Sequence, residues 1–200
     1  PPRSTEDLFN KHTTHFSCAD GEGNWVACTA TVNTSFGSKV IIPGTGVIMN
    51  NEMDDFSIAP GVPNAFGLLG AEANAVAPGK RPLSSMSPSI VLKDGKPILA
   101  VGAAGGPTII TQTLLAIIHT IDFGLPVKEA LAQPHFHHQW TPDQIRIERK
   151  VGEKVLAQLR KRGHKLKVYS QMGATQATSL RNGKFDAAHD PRLKGKATSY

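Results

Sequence analysis

A chain of 200 residues has the length of one globular domain, or of one part of a larger assembly. Its 40% hydrophobic and 19% charged content argues against disorder, and no apolar run approaches the roughly 18 residues of a membrane-spanning helix. Much of the net charge of +6 lies between Arg146 and Lys167, but no nucleic-acid module or stacking aromatics accompany it, so a solvated helix face or an acidic partner chain is the expectation.

In chain order, Pro1 to His12 is polar and lacks the apolar core of a signal peptide. Thr14 to Thr34 reads as strand, turn, strand: H-F-S-C-A alternates, Asp20-Gly21-Glu22-Gly23-Asn24 turns, and W-V-A-C-T-A-T-V is rich in small and β-branched residues. A turn centred near Glu22 sets Cys18 opposite Val26 and Cys28 opposite Phe16, out of register for a cross-strand disulfide. Cysteine usage therefore leaves the compartment open. Ser35 to Asn51 adds a Pro/Gly loop and a short strand at Gly46-Val47-Ile48-Met49. Asp54 to Pro82 is rich in Gly, Pro, Ala and Asn, a length of loop that is usually functional or partner-covering.

Ser87 to Leu92 and Lys96 to Gly102 read as strands around the turn Lys93-Asp94-Gly95. After Gly105-Gly106-Pro107, Thr108 to Phe123 forms a helix apolar nearly all round, expected to be buried between layers. Val127 to Gln133 is a short helix stopped by Pro134. Glu153 to Arg162 is an amphipathic helix ended by Gly163, with basic residues in its last turn as the helix dipole favours. Ala177 to Ala187 closes as a hairpin on Asn182-Gly183. Strands with buried helices and no internal repeats suggest a layered α/β or α+β domain.

The chemistry centres on Thr13. A threonine hydroxyl is a poor nucleophile unless a base takes its proton, and an N-terminal threonine carries that base as its own α-amine. Such an amine titrates near ~7.7–8.0, which suits a general base. Thr13 begins a strand, but it becomes N-terminal only after a cut between His12 and Thr13. Taken alone, Thr13-Thr14 reads as two β-formers, since threonine is a common strand residue.

Six ordered blocks change that balance: T-T-H-F-S from Thr13, N-T-S-F-G from Asn33, N-N-E-M-D-D-F from Asn50, P-G-K-R-P-L-S-S-M-S-P from Pro78, Gly105-Gly106, and F-H-H-Q-W from Phe136. From Thr13 to about Tyr200 the chain resembles the small subunit of the γ-glutamyltranspeptidases, members of the N-terminal nucleophile hydrolases. The resemblance implies an α+β fold, the four-layer αββα sandwich of that type, completed by a large subunit not in this chain. It also implies a division into residues 1–12, a leader or the tail of the large-subunit side of a precursor, and 13–200, a single-domain small catalytic subunit.

By the same resemblance, Thr13 is expected to cleave the His12–Thr13 bond and then to serve as nucleophile. The implied activity is γ-glutamyl transfer from, and hydrolysis of, glutathione and related compounds, with water or an amino acid or peptide as acceptor. Thr31 matches a threonine that hydrogen-bonds the nucleophile. Asn33, Glu52 and Asp55 match residues that hold the donor ammonium, and two carboxylates with an amide suit a cation. Ser84 and Ser85 match the pair that binds the donor carboxylate. Gly105 and Gly106 match the oxyanion hole, where bare glycines can turn N–H groups toward developing charge.

Other residues are set aside. Arg81 reads as structural, because the family draws its carboxylate-binding arginine from the large subunit, and Asp54 reads as a loop organiser. His135 and His137 share a strand face, but the matching family block is not a metal site, so no metal or cofactor is expected. His15 faces the same side as Thr13 and is left out because the family base is the α-amine. The chain departs from common family patterns at Ala103-Ala104, at Pro107 and at Glu52, where some members carry glutamine. The alternatives are a related acylase of the cephalosporin-acylase type, or an uncleaved, inert precursor or assembly subunit. Family membership implies export to the periplasm or outside, if the source is bacterial.

Overall fold

The structure, a computed structural model, describes residues 13–199. The expected cleavage residue His12 and the rest of residues 1–12 lie outside the described residues. Strand β1 (Thr13–Ala19) returns as β2 (Trp25–Thr31) in an antiparallel pair. The register sets Phe16 opposite Cys28 and Cys18 opposite Val26, and both thiols are free. Asp20 organises the turn, its carboxylate accepting the Glu22 and Asn24 backbone N–H groups at 3.0 and 2.9 Å.

The centre of the fold is a four-stranded antiparallel sheet of β3 (Ser89–Lys93), β4 (Lys96–Ala104), β8 (Ala174–Arg181) and β9 (Lys184–His189), in that order. Asp94-Gly95 and Asn182-Gly183, all at positive φ, make the two tight turns, as their sequences predict. Strand β4 runs two residues past its expected end at Gly102 and is buried on both faces through Ala104. Its side chains divide by the two-residue period of a strand. Leu99 and Val101 join Ala116, Val127, Leu131, Ala177 and Ala188 in the main core. That core lies under α1 (Thr108–Ile121) and α2 (Val127–Leu131). On the opposite face, Gly102 lies under the His15 ring, and Ser17 Oγ stands 3.2 Å from Thr178 Oγ1. The β1–β2 hairpin therefore packs on that face. Helices, central sheet and hairpin make three layers among the described residues.

A smaller sheet at one side joins β5 (Phe136–His137), β6 (Ile145–Glu148) and β7 (Leu166–Tyr169). Strands β6 and β7 are parallel, connected through α3 (Glu153–Lys161). Of these short strands only β5 was foreshadowed in the sequence, where His135 and His137 read as sharing a strand face. A buried ionic cluster ties the sheet to the C-terminal segment. Arg192 donates to both Glu148 carboxylate oxygens at 2.7 Å and to Asp190 Oδ1 at 2.9 Å. Glu148 also accepts the Met172 N–H at 2.7 Å and the His135 N–H at 3.1 Å.

Two expectations need correction. Gly46 to Met49 forms no strand of its own, only an isolated bridge between Ile41 and Ile48, because the surrounding Gly and Pro positions curl the loop back on itself. Helix α1 is not buried all round: Ile110 and Leu114 are each 52% exposed. Only its other face meets the central sheet, so the apolar outer stripe stands open among the described residues.

Candidate active site

Thr13 and Thr31 are direct partners in the hairpin register, and a cleft opens at that end. The Thr13 hydroxyl donates to Thr31 Oγ1 at 3.0 Å. Thr31 Oγ1 also accepts the Asn33 N–H at 2.9 Å, made possible as the chain turns at Asn33 with φ 75°. Asn33 is buried, and its Nδ2 donates to the Asn51 carbonyl at 3.2 Å. Asn51 Oδ1 in turn accepts the Thr34 N–H and hydroxyl, at 3.1 and 3.0 Å. This lacing brings the 3₁₀ turn Glu52–Asp55 against the end of the hairpin.

The cleft, about 300 Å³ and open to solvent, is lined by Thr13, Thr31, Asn33, Glu52, Asp55, Ser84, Ser85 and Gly106. Every candidate site residue among the described ones lines it except Gly105, the chain neighbour of Gly106. Phe66, Met86 and Ile109 complete the wall. Sequence reasoning missed these three. Phe66 lies in the long loop flagged as functional, but nothing in its neighbours pointed to the cleft.

Electrostatics distinguish the Glu52 end. Burial, then the neighbouring Asp55, pushes the Glu52 carboxyl up to about 7. Asp55 is raised as well, chiefly by its own burial. Glu52 Oε1 is buried with no hydrogen-bond partner among the described residues. Two crowded, poorly solvated carboxylates make a site that a cation would relieve. Asp54 points elsewhere, accepting the Ala65 N–H with both oxygens at 3.3 and 3.1 Å. That is the loop-organising role read from the sequence.

Gly105 and Gly106 adopt φ 139° and 58°, conformations that L residues rarely take. A Cβ on Gly106 would stand 3.0 Å from the Phe66 ring, and one on Gly105 would stand 2.7 Å from Thr108 Oγ1. Ser84 Oγ accepts the Met86 N–H at 3.2 Å.

The histidines lie off the cleft. His15 Nδ1 meets Thr29 Oγ1 at 2.8 Å, and burial lowers its pKa to about 4, so it is neutral at physiological pH. His135 Nδ1 donates to the Met172 carbonyl at 2.8 Å, and His137 lies between Thr111 and Gln139, 3.0 and 3.1 Å away. Among the described residues no three His, Cys, Asp or Glu side chains converge as a metal site would require.

Residues 3–200 match the sequence model of the gamma-glutamyltranspeptidase family. The chain belongs to that family. It is 48% identical over 184 residues to the glutathione hydrolase proenzyme of Escherichia coli strain K12, covering 92% of this chain and 32% of that protein. The chain thus spans about a third of that relative's length. Among solved structures it resembles a mutant of Helicobacter pylori gamma-glutamyltranspeptidase, with TM-score 0.86 and 46% identity over 90% of this chain and all of that one. It also resembles gamma-glutamyltranspeptidase from Pseudomonas nitroreducens in complex with L-DON, with TM-score 0.88 and 43% identity over 94% of this chain and 99% of that one. The fold is accordingly the α+β sandwich of the N-terminal nucleophile hydrolases. Within this γ-glutamyltranspeptidase fold, Thr13 starts the first strand of the β1–β2 hairpin and opens onto the cleft.

Proposed function

We propose that this chain is the catalytic small subunit of a γ-glutamyltransferase and glutathione hydrolase. One observation carries the reading: a hydroxyl nucleophile, paired acids, two serines and a strained glycine, scattered over ninety-odd positions, line one cleft. Thr13 first attacks the His12 carbonyl, forming an ester as the C–N bond breaks, and water opens that ester. The E. coli relative's designation as a proenzyme supports such a step. So do the solved chains of two relatives, which about nine-tenths of this chain covers almost in full. Residues 1–12 then belong to the other product of the cut.

An amide nitrogen has no basicity to offer, whereas the amine freed at Thr13 does. In the proposed cycle this amine takes the proton of the Thr13 hydroxyl as its oxygen adds to the γ-amide carbonyl. The oxyanion that develops is received by backbone N–H groups of Gly105 and Gly106. Collapse expels the amine leaving group, protonated by the Thr13 ammonium, and leaves a γ-glutamyl ester on Thr13 Oγ1. Water or an acceptor amine then repeats the sequence in reverse, releasing glutamate or a new γ-glutamyl amide.

Glu52, Asp55 and Asn33 would hold the donor's α-ammonium, which relieves the crowding of the two acids. Those acids set this reading above an acylase acting on donors without an amine. Ser84 and Ser85 would hydrogen-bond the donor carboxylate. No lysine or arginine lines the cleft among the described residues, so the balancing cation falls to the large subunit, as the family resemblance implies. The test is intact mass and γ-glutamyl p-nitroanilide hydrolysis by the full precursor. A species beginning at Thr13 and release of p-nitroaniline are expected, both abolished in Thr13→Ala. A Thr13→Ala variant that still cleaves and turns over would overturn the reading.

A further inference from the structure

The glycine pair presents a physical problem. Two successive glycines have the widest backbone freedom of any dipeptide, yet an oxyanion hole works only if its N–H groups are already aimed before charge develops. Something outside the pair must hold it.

Helix α1 supplies two holds. Gln112 is 1% exposed on the buried face of that helix, a placement that costs free energy unless its amide is fully hydrogen-bonded. Its Nε2 donates to the Ala104 carbonyl at 3.1 Å and to Thr108 Oγ1 at 2.8 Å, and its Oε1 accepts from Thr175 Oγ1 at 3.4 Å. Thr108 donates its hydroxyl to the Gly105 carbonyl at 2.8 Å, and its backbone N–H reaches the same oxygen at 3.3 Å. Two consecutive carbonyls, Ala104 and Gly105, are therefore anchored by neighbouring residues of one helix.

The consequence follows from peptide planarity. In a trans peptide the C=O and N–H point in opposite directions within one rigid plane. Anchoring the Ala104 carbonyl fixes the Gly105 N–H, and anchoring the Gly105 carbonyl fixes the Gly106 N–H. Gln112 is itself held in place by close packing: a Cβ on Gly173 would stand 2.1 Å from its Nε2, so the bare Gly173 backbone forms the wall behind it.

We propose that Gln112 and Thr108 are positioning residues that preset the two amide N–H groups of the glycine pair, Gln112 acting on Gly105 and Thr108 on Gly106. The proposal rests on the reading of that pair as the oxyanion hole. Neither side chain touches substrate; each acts through one peptide plane.

The test uses the processed two-chain enzyme with γ-glutamyl p-nitroanilide, active protein being counted as cleaved chain by intact mass. Gln112→Met keeps length and loses the hydrogen bonds; Thr108→Val keeps shape and loses the hydroxyl. Each is expected to lower kcat by about tenfold to a hundredfold, less than the ~10²–10³-fold for deleting a donor outright, with KM within about threefold. Thr108→Ser, which restores the hydroxyl, should recover most of kcat. A purely structural role would reduce the amount of cleaved enzyme and leave kcat per cleaved chain unchanged. If both Gln112→Met and Thr108→Val keep kcat within about twofold of the parent, the proposal is wrong.

A crystal structure of Gln112→Met gives a readout independent of turnover. A rotated or doubly oriented Ala104–Gly105 peptide supports the anchor, and an unchanged single orientation refutes it. A parent enzyme that cleaves itself but never acts on the γ-glutamyl probe would overturn the functional reading, leaving the crystallographic result to decide the anchor separately.

Discussion

Thr13 and Thr31 sit directly opposite each other across the first hairpin, the Thr13 hydroxyl donating to Thr31 Oγ1 at 3.0 Å. A second donor, the Asn33 N–H at 2.9 Å, fixes the position of that acceptor. The rotamer of Thr13, the proposed nucleophile, is thereby selected by its cross-strand neighbour. Thr31→Val keeps the β-branched shape and removes the acceptor. Its kcat should fall by about tenfold, the worth of one hydrogen bond near 1–1.5 kcal/mol, while Thr31→Ser stays near the parent. Steady-state kinetics on enzyme normalised for cleaved chain would check this.

Glu52 makes donor binding and stability respond oppositely to pH. Its carboxyl titrates at about 7 in the folded chain, against 4.5 for the free group. Between those values the native state holds more protons than the unfolded chain, so this contribution to stability is fully present below pH 4.5 and lost as pH rises through 7. Donor binding runs the other way, because an ammonium needs the anion. The acid limb of kcat/KM should therefore lie near pH 7. Glu52→Gln should leave that limb to the Thr13 amine alone, near ~7.7–8.0, raise donor KM and increase stability above pH 7. A melting temperature of Glu52→Gln below that of the parent at pH 8 would contradict the assignment.

The Arg192 cluster offers a prediction on stability. The guanidinium is 6% exposed and answers Glu148 and Asp190, which are 2% and 0% exposed. Arg192→Met leaves both carboxylates buried without their cation and should cost about 3–5 kcal/mol. Urea unfolding with an unchanged m-value would measure it, and a loss below about 1 kcal/mol would mean that water replaces the arginine.

The outer face of α1 carries Ile110, Leu114 and Ile121, exposed by 52%, 52% and 41%, at positions spaced to form one stripe. A contiguous apolar stripe of this kind marks a candidate interaction face. With the large subunit as the proposed cover, Leu114→Glu should weaken retention of that chain on size-exclusion chromatography. Undiminished co-elution at micromolar concentration would rule the stripe out of that interface.

Several elements were legible from the sequence because their signals are local. Asp94-Gly95 and Asn182-Gly183 demanded tight turns wherever they fell, and the alternation around Glu22 set the hairpin register that keeps Cys18 and Cys28 apart. Helix α1 was plain from its apolar residues, and its end came within two residues of the expected one. Strands β6 and β7 were not legible, since four residues are too few to show a period.

The candidate site divides along the same line. The resemblance of ordered sequence blocks to a family named a threonine, paired acids, serines and glycines as candidates, each a side chain that its expected chemistry calls for. Only the tertiary structure decided which of them meet: Glu52 and Asp55 reach Thr13 through the Asn33–Asn51 lacing, and Gly106 lines the cleft beside them. It also placed Gln112 on the Ala104 carbonyl, a contact no spacing rule foretells. Turns and periods are short-range properties of the backbone, whereas a buried amide's partner depends on which strands and helices pack together.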